Sequence, residues 1–170
     1  MALLSPEDVQ VVKNFKKLKY FQSFTRAQLA KLTQNGGSAF ICGDGDIDVY
    51  DYHSQAIARP HHQACYGGPL ILAHSYKDFE PKFAEEMIRN MKLGMRIKKT
   101  NSVFLYFHYP CGAALQFGYT LEQVLGLAHQ AINWLVEDSF FNPEKIYVFF
   151  HFKWEAKDGR TLQRTYRLIS

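Results

Sequence analysis

Residues 103–118, VFLYFHYPCGAALQFG, constrain the fold of this chain more than any other stretch. Five apolar residues, Val103 to Phe107, run into His108-Tyr109-Pro110-Cys111-Gly112, the pattern of a buried strand leaving its sheet through a tight loop. A loop of that kind aims side chains at one point. An imidazole and a thiol three residues apart are close enough to share one metal ion. A second transition of the same kind lies upstream, where Ser38-Ala39-Phe40-Ile41 runs into Cys42-Gly43-Asp44.

The elements around these two runs read as an α/β chain. Ser5-Pro6-Glu7-Asp8 is a helix start, with a hydroxyl cap, proline at the first helical position and acids in the first turn. Val9, Val12, Phe15, Lys16 and Lys19 follow as a mixed apolar and basic stripe that needs a partner surface, either the chain's own domain or a second subunit. Thr25-Arg26-Ala27-Gln28 is a capping box for a short helix that Gly36-Gly37 closes, and Ser38 to Cys42 is the first strand. From Gly43 to Gly68 the chain is polar and aromatic without a clean period, too long for an ordinary connection. It is expected to hold a short helix near Tyr52 to Ala58 and an exposed loop.

Pro69 to His74, PLILAH, reads as a second strand buried on both faces. Ser75 or Asp78 can cap the helix after it, in which Phe79, Phe83, Met87 and Met91 recur at helical spacing up to Gly94. Val103 to Phe107 is the third strand, and Thr120-Leu121-Glu122-Gln123 opens a long helix with Leu121, Val124, Leu125, Ala128, Ile132, Leu135 and Val136 on one face. Ile146 to Lys153 is a fourth strand, and a turn at Asp158-Gly159 folds Arg160 to Leu168 back as a hairpin. The expected fold class is α/β: a central, mainly parallel sheet flanked by helices, with an antiparallel C-terminal strand, in one domain over 1–170 with an N-terminal helical arm over 5–35.

Charge and cysteine count narrow the function classes. Twenty basic against 16 acidic residues give a formal charge of +4, too small to point to nucleic acid without a concentrated patch. The nearest run, Lys13 to Lys19, reads as a solvated helix face. No window is long enough to span a bilayer, and no basic segment leads into a long apolar run at the N-terminus. Three cysteines cannot all pair within the chain, so reduced thiols in a cytoplasmic protein are expected.

In an open parallel sheet, ligands collect beyond the carboxyl ends of the strands. On this reading Cys42, His74, His108 and Cys111 all lie at that edge. Cys42, His108 and Cys111 suffice for a tetrahedral zinc with its fourth position undecided. A cysteine on its own reads more simply as a small buried hydrophobe, and it is convergence from two strand ends that favours a metal. Cys65, in His61-His62-Gln63-Ala64-Cys65, is a further thiol that reads either as packing or as a fourth metal contact.

At these residues the chain resembles the β-class carbonic anhydrases. That family carries Cys-x-Asp-x-Arg after its first strand and His-x-x-Cys-Gly after a later one. Here Cys42-Gly43-Asp44 and His108-Tyr109-Pro110-Cys111-Gly112 stand in the matching places, and the similarity of order runs from about Phe40 to Leu168. The resemblance implies that Cys42, His108 and Cys111 bind zinc, which lowers the pKa of water so that hydroxide attacks carbon dioxide, or a related small cumulated substrate. It also implies that Asp44 stands beside the metal and that the chain forms a homodimer or larger homo-oligomer, while charge and hydropathy lead to the expectation of no nucleic-acid or membrane partner. His53, His61, His62 and His74 can carry the released proton, and His74, at the strand end, is the one assigned with Asp44 to catalysis.

The pattern breaks at one position. Where the family pairs its aspartate with arginine, this chain has Asp46, within Asp44-Gly45-Asp46-Ile47-Asp48. In the family that arginine keeps the aspartate off the zinc. Without it, Asp44 is free to take the fourth position and make the site structural or latent, unless Arg59 or Arg96 arrives from elsewhere. A magnesium phosphoryl-transfer reading of Asp44-Gly45-Asp46 lacks the later paired acids such chemistry needs.

Overall fold

The computed structural model describes residues 3–23, 25–32, 34–43 and 61–169. Their centre is a six-stranded sheet of β1 (Phe21–Ser23), β2 (Ser38–Cys42), β3 (His61–Cys65), β4 (Val103–Tyr109), β5 (Ile146–Glu155) and β6 (Thr161–Leu168), in the order β1-β6-β5-β4-β2-β3. Strands β3, β2, β4 and β5 are mutually parallel, while β6 runs antiparallel to β5 and β1 antiparallel to β6. The expected mainly parallel sheet with an antiparallel C-terminal strand is therefore present.

The helices are α1 (Pro6–Lys17), α2 (Arg26–Leu32), α3 (Pro81–Lys98), α4 (Gly112–Gln116) and α5 (Leu121–Glu137). Capping boxes open α1 and α5: Ser5 with Asp8, and Thr120 with Gln123, each exchange side-chain and backbone hydrogen bonds. The same exchange joins Thr25 and Gln28 ahead of α2. On α1 only Val12 is buried among the helix residues, and Leu4 just before it donates its N–H to the Lys153 carbonyl at 2.8 Å, so the arm is tied to the chain's own sheet. The Lys16 ammonium rests 5.8 Å from the Tyr166 ring centre.

The two faces of the sheet carry separate cores. On one, Phe40, Leu105, Phe107, Val148, Phe150 and Phe152 pack with the apolar sides of α3 and α5. On the other, Ala39, Ile41, Phe104, Tyr106, Tyr147 and Phe149 pack together with Leu32 of α2. The near-continuous apolar spelling of β4 and β5 is what burial on both faces requires.

Several expectations need correction. Pro69 to His74 is not a strand: Gly68–Leu72 forms a 3-10 turn, with Leu70 N–H on the Gly67 carbonyl and Ala73 N–H on that of Leu70. An unbroken apolar run cannot by itself separate a buried helical turn from a buried strand. Here Gly67 and Gly68, with φ of 84° and 53°, turn the chain, and Pro69 sits at the helical start. The strand beside β2 is instead His61–Cys65, whose polar spelling gives no alternation to detect.

Strand β1 was also not foreseen. Its Phe21 pairs with Leu168 and sets its ring against Phe150, Phe152 and Tyr166, with centroids 5.6–5.7 Å away. The cap of α3 is Glu80, not Ser75 or Asp78, and Phe83 lies exposed while Ala84, Met87, Ile88, Met91 and Met95 face inward. Gly94 does not end that helix, which continues to Lys98. A Cβ there would fall 2.0 Å from the His61 ring, so the glycine lets α3 lie against β3. Asp44, Asp46, His53, Arg59 and the expected helix near Tyr52 to Ala58 lie outside the described residues. Among the described residues no helix is long and apolar enough to cross a membrane.

Candidate metal centre

Strands β2 and β4 separate at the site. Their parallel ladder joins Ser38 to Val103, Ala39 to Phe104 and Phe40 to Leu105. Beyond it β2 pairs only with β3, and β4 continues four residues beside β5. Order reverses between these strands, because the chain proceeds outward to β3 on one side and to β5 on the other. Such a switch point opens a crevice at the carboxyl ends of parallel strands.

Three side chains meet in it. Cys42 is the last residue of β2, His108 the last but one of β4, and Cys111 the residue before α4, reached through the cis Tyr109–Pro110 peptide. Their donor atoms all lie within 4.8 Å of one another. His108 and Cys111 are buried and Cys42 is half-buried. The two sulfurs are 3.8 Å apart. Two thiolates on one tetrahedral zinc, at about 2.3 Å each, stand about 3.8 Å apart, so the donor set fits that ion in spacing as well as in type.

Electrostatics separate the cysteines. The hydrogen bond with Cys42 holds the Cys111 thiol well below its ordinary range; burial opposes this, and His108 and the Ala114 backbone assist it. A sulfur that ionises readily is the form a metal binds. Burial instead pushes Cys65 up to about 11, and its sulfur lies 3.8 Å from the Gly68 carbonyl oxygen. Cys65 is the register partner of Cys42 across β2 and β3, yet it is not one of the three gathered donors.

The 3-10 turn locks this arrangement. A Cβ on Gly68 would come within 2.6 Å of the Cys42 nitrogen and 2.8 Å of its Cα, so the turn lies directly on the backbone that carries the thiol. A Cβ on Gly67 would meet the Tyr76 hydroxyl at 3.3 Å and the Ala113 methyl at 3.4 Å, which links the turn to the start of α4. Tyr76 is buried and its hydroxyl titrates well above the usual range, first through burial and then through the negative charges of Asp78 and Cys111. Its ring packs on Phe117 and Tyr119, and the Tyr109 hydroxyl donates to the Tyr119 carbonyl at 3.1 Å, closing an aromatic wall beside Cys111.

Among the described residues, the histidines expected to carry protons lie outside this cluster. His74 is exposed on the turn after Leu72, where its ring lies tilted against Trp134 and Phe79 with centroids 4.8 and 4.9 Å away; it ends no strand. His61 faces Gly94 of α3. His62 is half-buried and its pKa is lowered, first by burial and then by His61. Tyr76 and His151 were missed. Nothing in the spelling around Tyr76 marks it, whereas the alignment of His151 with His108 is visible once Val103–Tyr109 and Ile146–Phe152 are paired.

No family model matches the chain. No curated protein matches it either. Among solved structures it is similar to a carbonic anhydrase from Streptococcus mutans, at 13% identity and a TM-score of 0.44, over 95% of this chain and 99% of that one.

Proposed function

We propose that Cys42, His108 and Cys111 hold one zinc ion and that the chain, as a single domain over 1–170, is a latent zinc-binding protein with a β-carbonic-anhydrase-like sheet. The observation that carries this reading is the convergence of two thiols and an imidazole from two strand ends, with a sulfur spacing of 3.8 Å. The resemblance at Cys42-Gly43-Asp44 and His108-Tyr109-Pro110-Cys111-Gly112 supports the choice of zinc.

Latency rests on the fourth position. Cys65, protonated by burial and turned to the Gly68 carbonyl, is a poor fourth ligand. Asp44, two residues beyond Cys42, is the natural one, and Asp46 stands where the resembled family has the restraining arginine. Two thiolates already neutralise a divalent ion, so added acids make the site anionic and unfavourable to bicarbonate.

Hydration of carbon dioxide, or of a related small cumulated molecule, is the second reading. The three-donor set favours it, because a catalytic zinc commonly has three protein ligands and one open position. Zinc held there supplies Lewis acidity that brings the ionisation of water near neutral pH. The chain's part is to hold the ion on Cys42, His108 and Cys111 and to wall the crevice with Tyr76 and Phe117. In this reading Asp44 would accept a hydrogen bond from the attacking water, and an imidazole such as His74 would carry the released proton to solvent.

Stopped-flow hydration by zinc-loaded protein decides between the two. The latent reading expects no rate above buffer from neutral to alkaline pH, and a gain on Asp46→Arg; clear turnover by the unaltered chain overturns it. The same resemblance supports assembly as a homodimer or larger homo-oligomer, and three cysteines outside any disulfide support a cytoplasmic location. Light scattering on the purified chain tests the assembly.

A further inference from the structure

The sheet face opposite the main core carries a ladder of stacked rings between β4 and β5. Phe104 lies on Tyr147 and Tyr106 on Phe149, with centroids 5.4 and 5.1 Å apart. The next pair in the same register, on the same face, is His108 and His151. One strand further, His151 is the register partner of Thr165, and its Nδ1 lies 2.9 Å from the Thr165 hydroxyl oxygen. His108, His151 and Thr165 therefore form one row across three strands, with only 5%, 5% and 8% of their surfaces exposed.

Ring packing alone does not call for this row. A phenylalanine at 151 would continue the ring ladder with no polar atom to satisfy, whereas the imidazole needs a hydrogen-bond partner inside the sheet, which Thr165 supplies. What distinguishes this pair from the two before it is that its β4 member is one of the three metal donors. Outer groups that fix the ring of a metal-binding histidine typically change metal affinity 10–100-fold.

We infer that His151 is a positioning residue for the metal centre, resting on the zinc reading above. Thr165 fixes the rotation of the His151 ring, and that ring, one strand spacing away, fixes the rotation of His108. The imidazole thus meets the ion at a set angle, although neither His151 nor Thr165 touches the metal.

The test uses Co2+ alone as a spectroscopic probe and Zn2+ for affinity, on the full chain under reducing conditions. The wild type takes up one equivalent of Co2+ with thiolate charge-transfer and tetrahedral d–d bands. His151→Phe and Thr165→Val each shift the d–d bands and weaken Zn2+ binding by about tenfold or more. Thr165→Ser, which keeps the hydroxyl, behaves as wild type. Thr165→Val is nearly isosteric and carries the test if His151→Phe does not fold. Wild-type d–d bands and Zn2+ affinities within about twofold in the folded variants overturn the inference and leave the zinc reading intact. A wild-type chain that takes up no Co2+ overturns both.

Discussion

The sulfurs of Cys42 and Cys111 stand 3.8 Å apart although 69 positions separate them in sequence. The parallel pairing of β2 with β4 brings their strand ends together, and the turn through Pro110 returns Cys111 toward Cys42.

Replacing either sulfur should remove the metal. Cys42→Ser and Cys111→Ser are each expected to lower bound zinc from about one per chain to background after dialysis, read by elemental analysis. Cys65→Ser should leave the stoichiometry unchanged, since its thiol lies outside the donor group.

Metal removal should cost stability. With free zinc about a thousandfold above its dissociation constant, binding contributes about 4 kcal/mol. For a chain of this size that corresponds to a fall of roughly 10 °C in melting temperature on chelation. Calorimetry with and without chelator reads it; equal melting temperatures would mean that the ion does not bind the folded state preferentially.

Gly68→Ala is expected to damage fold and site together. Its φ of 53° strains any residue with a Cβ, and that atom would sit 2.6 Å from the Cys42 nitrogen. A loss of about 2–4 kcal/mol in urea unfolding, with weaker zinc uptake, is the expected outcome. Gly126→Ala, inside α5 where a Cβ meets nothing within 4 Å, serves as the control and should hold or raise stability, by up to about 1 kcal/mol, with zinc uptake unchanged.

The metal-free protein should be most stable near the ordinary thiol pKa. Cys111 is depressed in the folded state from 9.0, so its contribution is present above that value and is lost as pH falls toward the folded one. Cys65 is raised from 9.0 to about 11, so its contribution is present below 9.0 and is lost as pH rises through about 11. Urea titrations of chelated protein at several pH values should trace a maximum between these limbs. Cys111→Ser should flatten the acidic limb and Cys65→Ser the alkaline one.

The donor set could be read from sequence because each donor follows an apolar run whose end is spelled out. Ser38–Cys42 and Val103–Tyr109 announce themselves as strands, and capping boxes mark where α1 and α5 begin. The placement of His74 could not be read, because the apolar run of Pro69–Leu72 owes its burial to a tight turn and not to a ladder. His61–Cys65 escaped notice for the opposite reason. Parallel pairing with β2 stabilises it through backbone hydrogen bonds, which leave no trace in side-chain periodicity. The row from His108 to Thr165 depends on the relative register of three strands, and that is set by tertiary pairing alone.

The early end of the ladder between β2 and β4, after Phe40 and Leu105, has a mechanical meaning. Past that point no strand pairing among the described residues joins the β2–β3 half to the β4–β5 half, and the three donors can bridge the gap. An ion on Cys42, His108 and Cys111 would act as a rivet closing the sheet's split end. A chain that turned over no substrate would still have a reason to keep all three.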